Sequence, residues 1–598
     1  TTAAAVVILI GIGSMVRWAD LAGGGSRVAK MVGARLIDPD TRDPDERKLR
    51  NIVEEMAIAS GVSVPELYVM DGETSINAFV AGYSPGEAVM VVTKGALSQL
   101  DRDELQGVVG HEFSHILNGD MRLNVRLIAI LAGILMIGQI GQFLLRAGFY
   151  GSATRSRNSD NRAQLAMGVL GLVLMIIGYV GVFFGRLIQA AVSRQREMLA
   201  DASSVQFTRN PEGIGGALFK IGMTSGYLDT TSHASDMNHM CFGESARMKF
   251  SSLLASHPPV NERINAIQPG LLARLRSRLR DTEPSSKLQT KAPQAEAVRF
   301  ADLANQVAGP ARGTPGARLS PLRSSFNETA PQPAAQLSTR VGTVTPQSEA
   351  FAADLLQQLP ATFRNLLYTR AGAIQLCYGL LTNHLPVNER ERCLALLPEH
   401  TLMGEQRDIL TKLNPTLITL GEAARFPILE LAMPALRKLD SDERRLLLNN
   451  VRKLVAADKR LSLFELALNT FLNRHLAPNA EQAVPVRHRN YRSVRADIEC
   501  VVGLFARAGS PSEQEAANLY QEAIAGFFSE PNQPAVSTVS IKELQAALAS
   551  LSRLSPLLKP GIIDACGHCI AHDGKVEVRE YELMRLVADQ LDCPMPPL

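Results

Sequence analysis

Two uninterrupted apolar runs decide most of what this chain can fold into. The stretches "VRLIAILAGILMIGQIGQFLL" (125–145) and "LAMGVLGLVLMIIGYVGVFFGRLI" (165–188) carry no charge across their centres. Each reaches the roughly 20 residues that cross the hydrocarbon core of a bilayer as a helix. A polar turn, "RAGFYGSATRSRNSDNRAQ", joins them, so a transmembrane helical hairpin is expected over 124–190. Gly168, Gly171, Gly178 and Gly181 recur at near-helical spacing, as where two membrane helices approach closely. A buried soluble hairpin is the alternative. The opening "TTAAAVVILIGIGSMVRW" reads as the tail of a further span, 1–17, which can extend upstream; a signal peptide fits less well, because no basic leader precedes it.

Basic residues near the span ends set the orientation. Arg17, Arg27, Lys30, Arg35, Arg122, Arg126, Arg186, Arg194 and Arg196 flank one side, against Arg146, Arg155, Arg157 and Arg162 on the other. The larger set puts 18–123 and 191–282 in the cytoplasm, as two parts of one domain split by the hairpin. In the first part, "DERKLRNIVEEMAIASG" is an amphipathic helix closed by Gly61. Three short strands follow, "PELYVMD", "INAFVAGY" and "AVMVVTKG", then a helix "SQLDRDELQGVVGHEFSHILNGD" that Asp101 or Asp103 can cap.

Beyond 282 the character changes. Residues 283–348 are rich in Pro, Ser, Thr, Ala and Gly and read as a flexible linker. Residues 349–598 are leucine-rich and helical, and contain a weak repeat: "VRKLVAADKRLSLFELAL" (451–468) aligns without gaps to "CGHCIAHDGKVEVREYEL" (566–583). Asp458 or Asp573 ends one helix, and Glu465 or Glu580 lies in the next, which suggests a duplicated bundle. The second copy resembles the end of TerB-like helical domains over some thirty residues, a resemblance that implies docking or sensing. A formal net charge of +3 leaves no basic excess for neutralising phosphates, so nucleic acid is not expected as a partner. The seven cysteines are odd in number and scattered, which fits reduced thiols better than a disulfide framework. "CGHC" (Cys566–Cys569) has redox-motif spacing, but it falls in a helical repeat with no βαβ context, and partly buried thiols are the readier explanation.

The chemistry sits just before the first long apolar run. In "GHEFSH", His111 and His115 stand at i and i+4, one turn apart on one helix face, so both imidazoles can meet one ion. Glu112 sits where a carboxylate can act as general base toward an attacking water. A catalytic zinc takes three protein ligands and keeps one position open. The helix leaving the second span offers "REMLAD", in which Glu197 can complete the ligand set and Asp201, one turn later, can hydrogen-bond a ligating imidazole. Two surface histidines, and a solvated Glu–Asp helix face, are the bland alternatives.

"HEFSHILNGD", "REMLADASSV", "ASHPPVNERI" and "INAFVAGY" together resemble the HtpX-like membrane metallopeptidases, relatives of the CAAX prenyl proteases, over roughly residues 1–270. The resemblance implies a mainly α membrane protein. Its parts would be a gluzincin-type metallopeptidase domain with a small β-sheet, the transmembrane hairpin, and here an added C-terminal α-helical bundle. It implies one Zn²⁺ per chain on His111, His115 and Glu197, with Glu112 as base and Asp201 supporting a ligand. It further implies protein substrates, membrane proteins above all, a bacterial inner-membrane location and a quality-control role. His257, in "SHPPVNER", would approach the metal or the developing oxyanion, or else is a turn residue before Pro-Pro. Arg263 is a candidate for anchoring that segment through a carboxylate. An extended substrate can add to the strand holding Asn77, Ala78 and Phe79 by main-chain hydrogen bonds, Asn77 being equally readable as a turn former. The linker and C-terminal extension depart from the family. A membrane-anchored scaffold whose C-terminal helices bind a partner or self-associate, with proteolysis secondary, is therefore the competing reading.

Overall fold

Local capping signals set the boundaries of the elements that carry the site. The structure is a computed structural model that describes residues 2–21, 24–150, 161–224, 241–242, 257–282, 337–398, 405–457, 462–477, 484–528 and 540–597. Helices α1 (Thr2–Leu21) and α2 (Gly24–Met31) lead into the short strand β1 (Arg35–Leu36). Helix α3 (Pro44–Ser60) starts where Asp43 accepts the amides of Asp45 and Glu46, and stops at Gly61, whose φ of 70° needs no Cβ penalty. Strands β2 (Glu66–Met70), β3 (Ala78–Ala81) and β4 (Val89–Thr93) fall within the three stretches read as strands. After α4 (Lys94–Gln99), α5 (Arg102–Leu117) opens with a capping box between Asp101 and Glu104. Asp101, not Asp103, is therefore the cap.

The sheet order is β1-β2-β4-β3, with β2 and β4 parallel and both outer pairs antiparallel. β3 is thus an edge strand, in register with β4 from Ala78↔Val92 to Ala81↔Val89. Helix α5 runs buried beneath β3, packed also on α7 (Asn161–Thr208) and α8 (Pro211–Thr224). Small residues allow this: a Cβ on Gly107 would lie 2.6 Å from the Ile214 backbone nitrogen. Ser204 Oγ donates to the Gly107 carbonyl at 2.6 Å, tying α7 to α5. Helices α9 (Val260–Ile267) and α10 (Leu271–Thr282) close this part.

Between α5 and α7 runs α6 (Asp120–Tyr150). Two helices are long and apolar enough to cross a membrane, Asp120–Ala147 and Ala166–Thr208, and α1 adds the shorter apolar stretch Val7–Trp18. α6 packs along both α7 and α1. At Gly178 a Cβ would collide with the Gly138 backbone, so close approach requires glycine there, whereas Gly168 faces open space. Leu170, Ile176, Phe184 and Ile188 are more than half exposed, a surface that lipid accommodates and water does not. Helix α7 continues past the apolar run to Thr208, carrying Glu197 and Asp201 on the same rigid rod.

The linker reading is too long at its C-terminal end. Residues 283–336 lie outside the described residues, but Leu337 and Val344 are buried and a helix begins at Pro346. From there the chain is helical, and its apolar interior is continuous with that around α3 and α5. Helix Pro346–Gln358 packs on α3. Glu54 of α3, with no solvent exposure, pairs with the Arg364 guanidinium and the Tyr368 hydroxyl. The repeated glutamates have a structural explanation. Ser462 with Glu465, and Glu577 with Glu580, form capping boxes at aligned positions of Leu463–Leu476 and Val578–Gln590, two helices that pack together. Asp458 lies outside the described residues.

Candidate metal centre

Helix geometry alone puts His111 and His115 on one face of α5, and their Nε2 atoms stand 3.2 Å apart. Glu197 arrives from α7, with Oε2 3.6 Å from His111 Nε2 and Oε1 3.6 Å from His115 Nε2. A tetrahedral zinc with bonds of roughly 2.0–2.1 Å separates its donor atoms by about 3.3 Å, so this donor set fits such an ion. Among the described residues these three form a group that could hold a metal ion. The outward nitrogens are already committed. His111 Nδ1 lies 3.0 Å from Asp201 Oδ1, and His115 Nδ1 lies 2.8 Å from Asp120 Oδ2. Each carboxylate therefore fixes one imidazole as the tautomer whose Nε2 lone pair faces the shared point.

Around Glu197 the polar contacts are dense. His257 Nδ1 is 2.8 Å and Arg263 Nη1 3.4 Å from its Oε2. Arg263, 1% exposed, grips Asp201 with both arms: Nε donates to Oδ2 at 2.8 Å and Nη2 to Oδ1 at 2.7 Å. Its Nη1 donates to the Phe242 carbonyl at 3.1 Å. His257 and Arg263 thus converge on the carboxylates that face the histidines, not on the solvent.

Glu112 is fully buried beside the Val80 backbone of β3, and burial pushes its carboxyl up to about 8. Burial works against a charged His115, but the Asp120 carboxylate and then Glu197 and Glu112 outweigh it, raising the ring to about 9. The rise at His115 comes from the carboxylates around it, and the charge they concentrate is one that a divalent ion relieves.

The remaining residues read from the sequence lie at the adjacent sheet edge. Asn77 is buried, and its Oδ1 accepts the Ala78 amide at 2.9 Å, a local turn-like contact. Ala78 and Phe79 are buried, and their outer main chain meets the chain's own residues 241–242. Phe79 bridges Cys241 antiparallel, and the Phe242 amide donates to the Ala78 carbonyl at 2.7 Å. Phe242 also sets its ring edge-on to His111, centroids 4.8 Å apart, beneath the Arg263 guanidinium.

Two site neighbours escaped the sequence reading. Asp120 was visible in principle: Gly119, at φ 68°, turns the chain just past the α5 end and returns the carboxylate to His115, five residues back. Arg196 of α7 pairs with the same carboxylate. Phe242 carried no signal. "CGHC" shows no such assembly. Cys566 and Cys569 are buried in helix Lys559–Ile570, where burial raises both thiols, Cys569 to about 12, and keeps them protonated.

Residues 43–269 match Peptidase family M48. Among curated proteins the chain is similar to a "Protease HtpX homolog" of Streptococcus uberis, 34% identical over 267 residues, which is 44% of this chain and 85% of that protein. A homolog of the same name from Caldanaerobacter subterraneus subsp. tengcongensis is 40% identical over 238 residues, 40% of this chain and 75% of the relative. One from Listeria monocytogenes is 37% identical over 224 residues, 37% and 72% respectively. No solved structure matches.

Proposed function

The chain belongs to the HtpX-type proteases of Peptidase family M48, and from that premise we propose that it is a membrane-spanning zinc endopeptidase. It cleaves membrane or misfolded proteins at the cytoplasmic face of the bacterial inner membrane, as protein quality control. His111, His115 and Glu197 hold one Zn²⁺ per chain in a gluzincin-type arrangement. When bound, Zn²⁺ supplies Lewis acidity toward the scissile carbonyl. Glu112 takes the proton of the attacking water and delivers it to the leaving amine. Asp201 and Asp120 hold the two imidazoles in register, while Arg263 and His257 hold Glu197. The single observation that carries this reading is the 3.2–3.6 Å spacing of the three donor atoms.

The parts of the chain then divide as a span at 1–17, a peptidase domain of 18–123 and 191–282 interrupted by the hairpin, and C-terminal TerB-like helices. Substrate enters along β3, where Ala78 and Phe79 offer main-chain groups once residues 241–242 give way. Glu112→Gln tests the chemistry. The variant keeps stoichiometric zinc and loses hydrolysis of a detergent-solubilised membrane protein by on the order of a hundredfold or more; wild-type rates in that variant refute the mechanism. The competing scaffold reading draws on the broad packing of the C-terminal helices against α3. It requires the Glu112→Gln protein to retain full cellular function.

A further inference from the structure

The strongest feature that proteolysis leaves unexplained is a basic and apolar surface on the C-terminal helices. Segment 484–492 and the turn 553–558 are joined as one unit. The Arg487 amide donates to the Arg553 carbonyl at 2.9 Å, the Ser555 amide to the His488 carbonyl at 2.9 Å, and Tyr491 Oη to the Leu558 carbonyl at 2.8 Å. Leu557 is 90% exposed, and Val484 and Val486 are 40% and 49% exposed. Arg487, Arg489 and Arg492 are exposed around them, and no acidic residue occurs in 484–496 or 550–563. Among the described residues neither these three arginines nor Arg553 meets a carboxylate.

This surface lies close to the membrane boundary. Val484, Val486, Arg553 and Pro556 line a cavity of about 760 Å³ that Ser84, Pro85, Gly86 and Arg122 also line. Arg122 stands in the first turn of α6, and its Nε donates to the Tyr83 carbonyl at 2.9 Å. Tyr83 stacks on Trp18, centroids 6.5 Å apart, at the end of the apolar stretch of α1. Tryptophan, tyrosine and arginine at the ends of apolar helices mark the headgroup level. The edge of the patch at Val484, Val486 and Arg553 therefore borders a cavity that reaches Arg122, at the start of α6.

We propose that this patch seats on the anionic headgroups of the bilayer that the chain itself crosses, Leu557, Val484 and Val486 dipping among the lipids and the arginines pairing with phosphates. The occupant is acidic phospholipid because arginines that meet no carboxylate among the described residues stand beside outward apolar side chains near a membrane-entry point. Docking on the lipid would hold the seam with the Ser84–Gly86 loop, and so the β3–β4 hairpin beside the catalytic centre, in one position.

The inference rests on the membrane-spanning reading. The test uses the full chain in nanodiscs of phosphatidylcholine alone or with 30% phosphatidylglycerol, with detergent as reference, and hydrogen exchange followed in peptides covering 484–492 and 553–558. Exchange should slow in phosphatidylglycerol discs, and each arginine neutralised among R487Q, R489Q and R492Q should weaken the lipid dependence about fivefold. L557A, a surface truncation that leaves the fold intact, should weaken it too. Exchange equal in all three media, or slowed only when an added protein binds, overturns the inference while leaving the span intact. A chain that fails to enter nanodiscs overturns both. The lipid comparison on the unaltered protein decides the matter even if a variant misfolds.

Discussion

Replacing Asp120 by alanine separates a supporting role at His115 from mere proximity. Asp120 is 4% exposed and accepts from His115 Nδ1 at 2.8 Å, a short hydrogen bond to a charged acceptor. Such a bond is worth about 1.5–3 kcal/mol, or roughly ten- to a hundredfold in the affinity for a metal held on the proposed site. Asp120→Ala frees the ring to rotate and to place its proton on Nε2, the nitrogen that must stay bare. Asp120→Asn keeps an acceptor near Nδ1 but removes the charge, so its loss should be smaller. Arg196→Ala is the control, because Arg196 pairs with the same carboxylate and touches neither histidine. Competition with a chromophoric chelator measures zinc affinity directly, and the expected order is wild type near Arg196→Ala, then Asp120→Asn, then Asp120→Ala. Equal zinc affinity in wild type and Asp120→Ala would refute the argument that Asp120 prepares the ligand.

Further outcomes follow from other parts of the structure. Glu54→Gln leaves the half-buried Arg364 without its anion, so thermal unfolding should register a loss of about 1–3 kcal/mol, with the C-terminal helices loosening from α3. Unchanged stability would mean that this pair does not hold the seam. Burial raises Glu582 from 4.5 to about 7 despite Arg425 at 3.5 Å. The folded state therefore binds a proton that the unfolded state has released, and this contribution, full below pH 4.5, is lost as pH rises through 7. Melting temperatures at pH 5.5 and 7.5 should differ less in Glu582→Gln than in the wild type.

Much of the site was legible because its determinants are local. The i, i+4 spacing of His111 and His115 is a property of any helix, and the Asp101 and Gly61 signals fix where α5 begins and α3 ends. Glu197 could be read because α6 and α7 leave from and return to the same place, and the continuity of α7 makes that return rigid. Residues whose role depends on long-range closure could not be read. Phe242 reaches His111 from 131 positions away through a segment with no periodic pattern, and Glu54 finds Arg364 across 310 residues. The repeat was visible, but the meaning of Glu465 and Glu580 was not: a glutamate three residues after a cap looks the same on a page whether it serves the backbone or a ligand. Asn77, read as either turn former or substrate holder, spends its side-chain oxygen on the neighbouring amide. The packed seam also makes truncation after 282 a poor test of the C-terminal helices, since it would strip apolar cover from α3.

X-ray absorption at the zinc edge of the purified full-length protein addresses the coordination most directly. Two imidazoles and one carboxylate predict a nitrogen/oxygen shell at roughly 2.0–2.1 Å with the outer scattering of two histidine rings, at one zinc per chain. A sulfur shell near about 2.3 Å, or a zinc without imidazole scattering, would contradict the assignment of His111, His115 and Glu197.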